Sequence, residues 1–196
     1  MSVDNINPKV LGCDVYHGDS PIEFHSLANA GYQFVFCKAS QGAFGLDPDY
    51  ADFVTRARST GLVVGSYHYF TQDDPVQQAQ HYLNAANVLP GDLVPCLDIE
   101  TPFPGMVDAV NAATAEIKRI TGRYPIWYMN RAFWEQYWPN VSIPGPLWLA
   151  EYGVAMPAVA CDFWQYTESG TVDGHTGALD CDVFYGTIDD LRTHCI

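Results

Sequence analysis

The chain has 196 residues, enough for one domain with a sizeable core, and its 48% apolar and 16% charged content excludes a disordered polymer. A formal net charge of −14 argues against nucleic acid and anionic membrane surfaces as partners, because both select basic faces. No apolar run reaches the ~18 residues of a membrane span, and the opening Met1 to Pro8 lacks the basic and apolar regions of a signal peptide, which implies synthesis in the cytoplasm without an export address.

Val10 to Tyr16 reads as a strand, and Ile22 to Ala30 as a short helix stopped by Gly31. Phe34 to Ser40 is an apolar strand, followed by a helix from Asp49 to Thr60 with Gly61 behind it. Val63 to Phe70 is the next strand, and Pro75 opens a helix running to Asn87. Val94 to Glu100 is a strand. Met106 to Thr121 is an amphipathic helix, with Val107, Val110, Ala113, Ile117 and Ile120 on one stripe and Gly122 closing it. Ile126 to Asn130 reads as a strand and Ala132 to Tyr137 as a short helix. Leu147 to Tyr152, Phe163 to Thr167 and Ala178 to Phe184 then read as strands joined by segments without helical period, and Thr187 to His194 adds a last helix.

About five β/α units followed by about three strands make this an α/β chain with a parallel sheet. Continuous apolar runs such as Phe34-Val35-Phe36-Cys37 fit strands covered on both faces. The fold expected is an irregular TIM-like barrel, (β/α)5β3, in one domain over 1–196 with its core at about 10–187; an open doubly wound sheet is the alternative. Cys13, Cys37 and Cys96 fall inside strands as buried thiols. Among Cys161, Cys181 and Cys195 one pair is open to bridging.

Polar groups recur at the strand ends: Asp14 and Tyr16, Lys38 and Gln41, Tyr67 and His68, Asp98 and Glu100, Tyr128 and Asn130, Glu151 and Tyr152, then Trp164, Gln165 and Tyr166, and Asp180 and Asp182. In a parallel barrel those ends form one rim, where active sites sit. Leu97-Asp98-Ile99-Glu100 is the strongest local feature. Strand alternation puts both carboxylates on one face, with Cα atoms roughly 6.5 Å apart. Two carboxylates so close raise one pKa, and a carboxyl protonated at neutral pH is what glycoside cleavage uses on the leaving oxygen. Asp14 and Asp180 lie on the first and last strands, which are neighbours in a closed barrel. Asp14, Asp98 and Asp180 also admit a divalent-cation reading. It is the weaker one, since no H-E-x-x-H and no helpful His spacing accompany it. Neither a G-x-S-x-G elbow nor a phosphate-binding glycine loop occurs, which removes serine hydrolase and nucleotide roles. His68 reads as a structural hydrogen-bonding residue.

Taken in order, Gly12-Cys13-Asp14-Val15, Phe36-Cys37-Lys38-Ala39-Ser40-Gln41-Gly42, Gly65-Ser66-Tyr67-His68-Tyr69-Phe70, Leu97-Asp98-Ile99-Glu100, Leu147-Trp148-Leu149-Ala150-Glu151-Tyr152, Trp164-Gln165-Tyr166 and Leu179-Asp180-Cys181-Asp182 resemble glycoside hydrolase family 25, the Chalaropsis-type lysozymes. No single segment is specific; the ordered set, spanning Leu11 to Gly186, is.

The resemblance implies cleavage of the β-1,4 bond from N-acetylmuramic acid to N-acetylglucosamine in bacterial peptidoglycan, with retention and no cofactor. By matched position it implies Glu100 as general acid and then base, Asp98 as the second catalytic carboxylate, and Asp14 and Asp180 as supporting acids. Tyr67, Tyr152, Trp164 and Gln165 are the substrate contacts it implies, and Lys38, Gln41 and Tyr128 join them on the rim. Gln41 departs from the family, where glutamate is frequent, and Asp182 stands where asparagine is common. The expected partner is the glycan strand alone, met by a monomer without a separate wall-binding domain. The expected setting is a phage endolysin released by a partner pore, or export by an unusual route. A non-catalytic carbohydrate-binding barrel and a metal-dependent sugar-modifying hydrolase remain the competing readings.

Overall fold

The computed structural model describes residues 3, 6–139 and 142–196; Met1, Ser2, Asp4 and Asn5, part of the segment read for a leader, lie outside the described residues. Among the described residues nine strands form: β1 Lys9–Val15, β2 Tyr32–Gln41, β3 Gly45–Leu46, β4 Val63–Tyr69, β5 Cys96–Asp98, β6 Ile126–Asn130, β7 Leu147–Ala150, β8 Phe163–Gly170 and β9 Leu179–Tyr185. Eight close into a barrel in the order β1-β9-β8-β7-β6-β5-β4-β2, sealed by parallel β1–β2 pairing. The two-residue β3 folds back onto the end of β2 and stands outside the ring. The barrel expectation therefore holds, and the open doubly wound sheet does not.

The helices are α1 Phe24–Asn29, α2 Tyr50–Ser59, α3 Pro75–Ala86, α4 Met106–Thr121, α5 Arg131–Tyr137 and α6 Ile188–Arg192. Their ends follow local chemistry. Asp74 caps α3 by accepting from the Gln77 N–H at 2.8 Å, with Pro75 in the first turn. Gly122 takes the left-handed conformation that ends α4 (φ 75°), returning its N–H to the Lys118 carbonyl at 2.9 Å. On α4 the buried stripe is Met106, Val110, Ala113, Thr114 and Ile117; Ile120, expected on that stripe, is 46% exposed.

Alternation along the strands builds two cores. One parity, including Val35, Cys37, Leu97, Ile99, Trp127, Met129 and Leu149, packs outward against the helices. The other fills the barrel: Phe34, Phe36, Trp148, Phe163 and Phe184 form an aromatic plug, with Phe36 stacked on Trp148 at 4.4 Å. Gly12 exists because of that plug, since a Cβ there would sit 2.2 Å from the Phe34 ring. Leu191 of α6 joins the plug from below, and the Val94 N–H donates to the His194 carbonyl, closing the lower end.

One strand departs from the expected layout. β9 runs antiparallel to both β8 and β1, so the rim residue it supplies comes from its beginning. All six cysteines are free; Cys13, Cys37, Cys96 and Cys181 are buried, and no pair among Cys161, Cys181 and Cys195 is bridged.

Candidate active site

The open mouth of the barrel is a cleft of about 290 Å³. Neighbouring strands carry its acids: Asp14 on β1 faces Asp180 on β9 in the ladder, and Asp98 closes β5. Glu100 lies two residues past the end of β5, yet the Ile99 N–H still donates to the Tyr128 carbonyl at 2.8 Å. That bond prolongs the strand geometry and keeps Glu100 in the cleft beside Asp98. Lys38, Tyr67, Tyr128 and Gln165 complete the expected lining, and Tyr16, Tyr69 and Trp148 add to it.

Gln165 is the centre of the polar network. Its Nε2 donates to Asp14 Oδ2 at 2.7 Å and to Asp180 Oδ2 at 3.5 Å. Its Oε1 accepts from the Tyr128 hydroxyl at 2.8 Å and the Tyr152 hydroxyl at 2.5 Å. Lys38 Nζ donates to Gln41 Oε1 at 3.1 Å and lies 5.0 Å over the Tyr69 ring. Its partner is neutral, so its charge acts on the carboxylates across the cleft. One layer deeper, Asp182 is fully buried and accepts from Trp148 Nε1 at 2.8 Å.

Burial dominates the electrostatics. It pushes the Asp98 carboxyl well above the carboxylate range, Glu100 adds to this, and Lys38 opposes it. Glu100 is also raised by burial, with the Tyr128 hydroxyl and Lys38 pulling the other way. Asp14 is raised by burial and then by Asp182 and Asp180. Asp180 reaches about 6 through burial and the charge of Asp19. Asp98 is the least satisfied of these groups, since its buried Oδ1 has no hydrogen-bond partner. An unpaired buried acceptor facing a cleft is costly unless a ligand donates to it.

Three sequence-derived positions sit differently from expectation. Trp164 is 2% exposed and points away from the cleft, because Gln165 points in and strand neighbours alternate; its Nε1 donates to the Glu151 carbonyl at 2.8 Å. Gln41 does not line the cleft floor and reaches it only through Lys38. Tyr152 is held at the edge, 40% exposed, with its hydroxyl on Gln165. Trp148, absent from the expected contacts, is the aromatic floor, and alternation from Ala150 was its available signal. His68 is a structural residue. It is buried between Ser40 Oγ at 2.8 Å and Gln78 Oε1 at 3.3 Å, and burial lowers its pKa to about 4. Among the described residues, no three His, Cys, Asp or Glu side chains converge as a metal-holding group.

A mixed eight-stranded α/β barrel with paired carboxyls and aromatic rings at one mouth defines the class, a barrel glycoside hydrolase. The profile of the glycosyl hydrolases family 25 matches residues 13–175, and the chain belongs to that family. A bacterial lysozyme from Streptomyces coelicolor has a TM-score of 0.89 at 27% identity, over 95% of this chain and 96% of that one. A family 25 glycosyl hydrolase from Bacillus anthracis shares the fold, with a TM-score of 0.90 at 20% identity over 100% and 97% of the two chains. The autolytic lysozyme of Clostridium acetobutylicum is 30% identical over 178 residues, 88% of this chain; the chain spans 55% of that relative's length.

Proposed function

We propose that the protein is a muramidase that hydrolyses the β-1,4 bond between N-acetylmuramic acid and N-acetylglucosamine in peptidoglycan, with Glu100 as acid then base and Asp98 as its partner. The observation that carries this reading is the buried, unpartnered Oδ1 of Asp98 beside a raised, partly open Glu100. Glu100 protonates the glycosidic oxygen, the bond to the anomeric carbon breaks, and the leaving sugar departs with that proton. The 2-acetamido oxygen of the muramyl sugar forms the new bond to the anomeric carbon, giving an oxazolinium. Asp98 accepts the acetamido N–H and stabilises the positive charge as it develops. Glu100, now ionised, takes a proton from water as that water attacks the anomeric carbon and reopens the ring. Two displacements give retention.

In this reading Tyr67, Tyr128 and Lys38 contact the sugar directly. Asp14, Asp180 and Gln165 set the polarity of the far wall, and Tyr152 and Gln41 act at the edge. Trp148, rather than Trp164, is the tryptophan that lines the cleft floor. The enzyme works as a monomer on wall glycan after release from the cell that makes it. Among the described residues, no helix is long and apolar enough to cross a membrane.

The test is release of reducing ends from purified peptidoglycan. Wild type should cleave with or without EDTA, and Glu100→Gln should lose several orders of magnitude while keeping its fold. Binding to wall without release by wild type would instead support a carbohydrate-binding barrel. Trapping a covalent glycosyl adduct on Asp98 would sink the acetamido-assisted step.

A further inference from the structure

The rim of the barrel continues past the cleft at the end of β2. That strand lies between β1 and β4, and it turns through Gly42, Ala43 and Phe44 into β3. Tyr16 stands on one flank of the turn and Tyr69 on the other, and both line the cleft. The turn is tied to each flank. The His17 N–H donates to Asp47 Oδ2 at 3.1 Å, and His17 Nδ1 lies 2.7 Å from the same oxygen, which fastens the residue after Tyr16 to the residue after Leu46. The Gly42 N–H donates to the Tyr69 carbonyl at 3.1 Å. Further bonds hold the turn from behind. Ala43 is buried, and its N–H donates to Asp73 Oδ2 at 2.9 Å. His81 Nε2 donates to the Gly45 carbonyl at 2.9 Å, and the Asp47 N–H to the Ala39 carbonyl at 3.1 Å. Gly42 has φ 55°, and a Cβ there would sit 2.7 Å from Asp73 Oδ2, so this close approach requires glycine.

On this fixed backbone the side chain at the tip is unprotected. Phe44 is 80% exposed, and no large apolar side chain among the described residues is more so; Leu46 beside it is 64% exposed. A ring carried on so many backbone bonds stays in one place, so little ordering entropy is lost when a ligand covers it. The cleft of about 290 Å³ is at the small end of ligand pockets, roughly 300–1,000 Å³. A glycan polymer held there at its reacting bond must lay its further sugars on the rim. A β-linked hexosamine carries its ring substituents around the equator, which leaves C–H bonds on both faces, and such a face packs on the electron-rich face of an aromatic ring. We propose that Phe44, on the β2–β3 hairpin, is a distal glycan subsite that stacks an N-acetylhexosamine outside the cleft and makes the enzyme prefer long strands. The inference rests on the reading of wall glycan as the substrate. No bond is made or broken at the hairpin; it supplies binding alone.

The experiment measures kcat and KM for wild type, Phe44→Ala and Phe44→Trp on peptide-free peptidoglycan glycans of graded length, from the tetrasaccharide to long strands. Phe44→Ala removes an exposed ring, so the fold is retained, and an unchanged Tm checks this. In wild type KM should fall as the glycan lengthens, until a sugar reaches the hairpin. Phe44→Ala should lose that fall, with KM on long strands about tenfold above wild type, the scale of one anchoring side chain. Its kcat should stay that of wild type, because no reacting atom meets the ring, and Phe44→Trp should restore the length dependence. The same difference should appear without turnover, as a weaker Kd for long strands when Phe44→Ala is added to Glu100→Gln and the two proteins are compared by calorimetry. Equal KM for wild type and Phe44→Ala on long strands would overturn the subsite, and so would a loss of the same size on the tetrasaccharide. Sedimentation of wild type as a dimer and of Phe44→Ala as a monomer would assign the hairpin to a second copy and overturn the subsite as well. If wild type neither cleaves nor binds any glycan, the substrate reading itself fails, a result distinct from glycan turnover that ignores Phe44.

Discussion

Asp180 offers a direct measure of what the acidic mouth costs the fold. Burial and the charge of Asp19 raise its carboxyl from the ordinary value of 3.8 to about 6. A group whose folded pKa is raised binds its proton more tightly when folded. Its stabilising contribution is complete below pH 3.8 and is lost as pH climbs through about 6. At full value the gap is worth ~3 kcal/mol; the carboxyl is partly open to solvent, which roughly halves that to ~1.5 kcal/mol. Asp180→Asn keeps the shape, and its amide oxygen can still accept the weak bond from Gln165 Nε2. The variant should match wild type in urea unfolding at pH 3.5 and exceed it by ~1.5 kcal/mol at pH 7.5, with Tm up by roughly 3–5 °C. The gain should open between pH 4 and 6 and stay flat above. Equal stability at both pH values, or a gain confined to acid, would show that Asp180 ionises in the fold without penalty.

Two further expectations concern the buried framework. Trp148→Phe removes the indole donor to Asp182 Oδ1 in a fully buried carboxyl whose Oδ2 has no hydrogen-bond partner among the described residues. A loss of ~2–4 kcal/mol follows from the missing bond and the smaller ring; a loss below 1 kcal/mol in denaturant titration would mean that water replaces the indole. The buried Tyr82 hydroxyl accepts from the Cys96 N–H at 2.8 Å and donates to the Ser66 carbonyl at 2.7 Å, tying β5 to β4 through α3. Tyr82→Phe should cost ~1–3 kcal/mol and speed amide exchange at Cys96 relative to Trp127; unchanged exchange at Cys96 would reject that tie.

Most of the barrel was legible because two periodicities alternate cleanly along the chain. Runs such as Phe34 to Cys37 are apolar on both faces, and both faces are covered by a core. The Asp98 and Glu100 pairing was readable for the same reason: period two survives one residue past the last ladder pair. What failed to be legible depended on partners. Register shifts between Lys38 and Ser40 in the β2–β4 ladder, which sets Lys38 opposite Tyr67 and Gln41 opposite Tyr69 and brings Gln41 beside Lys38, where simple alternation would put it on the other face. Trp164 and Gln165 are adjacent, so only one can face the cleft; composition favours the tryptophan, whereas the acids of β1 and β9 claim the glutamine.

The reversal of β9 matters most for the chemistry. A parallel strand would bring its end, Val183 to Tyr185, to the mouth. Running antiparallel, β9 enters at the mouth with Asp180, sets Asp182 a layer lower beside the Trp148 indole, and reaches the aromatic plug with Phe184. The acids are thereby graded by depth, from partly open Asp180 to fully buried Asp182. The deepest, Asp182, meets the Trp148 indole, which stacks on Phe36, where little water is available to solvate a charge. Burial raises the Asp14 and Asp182 carboxyls well above the ordinary carboxylate range, which disfavours their ionised forms. The antiparallel last strand thus brings the acids and the aromatic plug together in one barrel, and burial against that plug is the main reason that their carboxyls are raised.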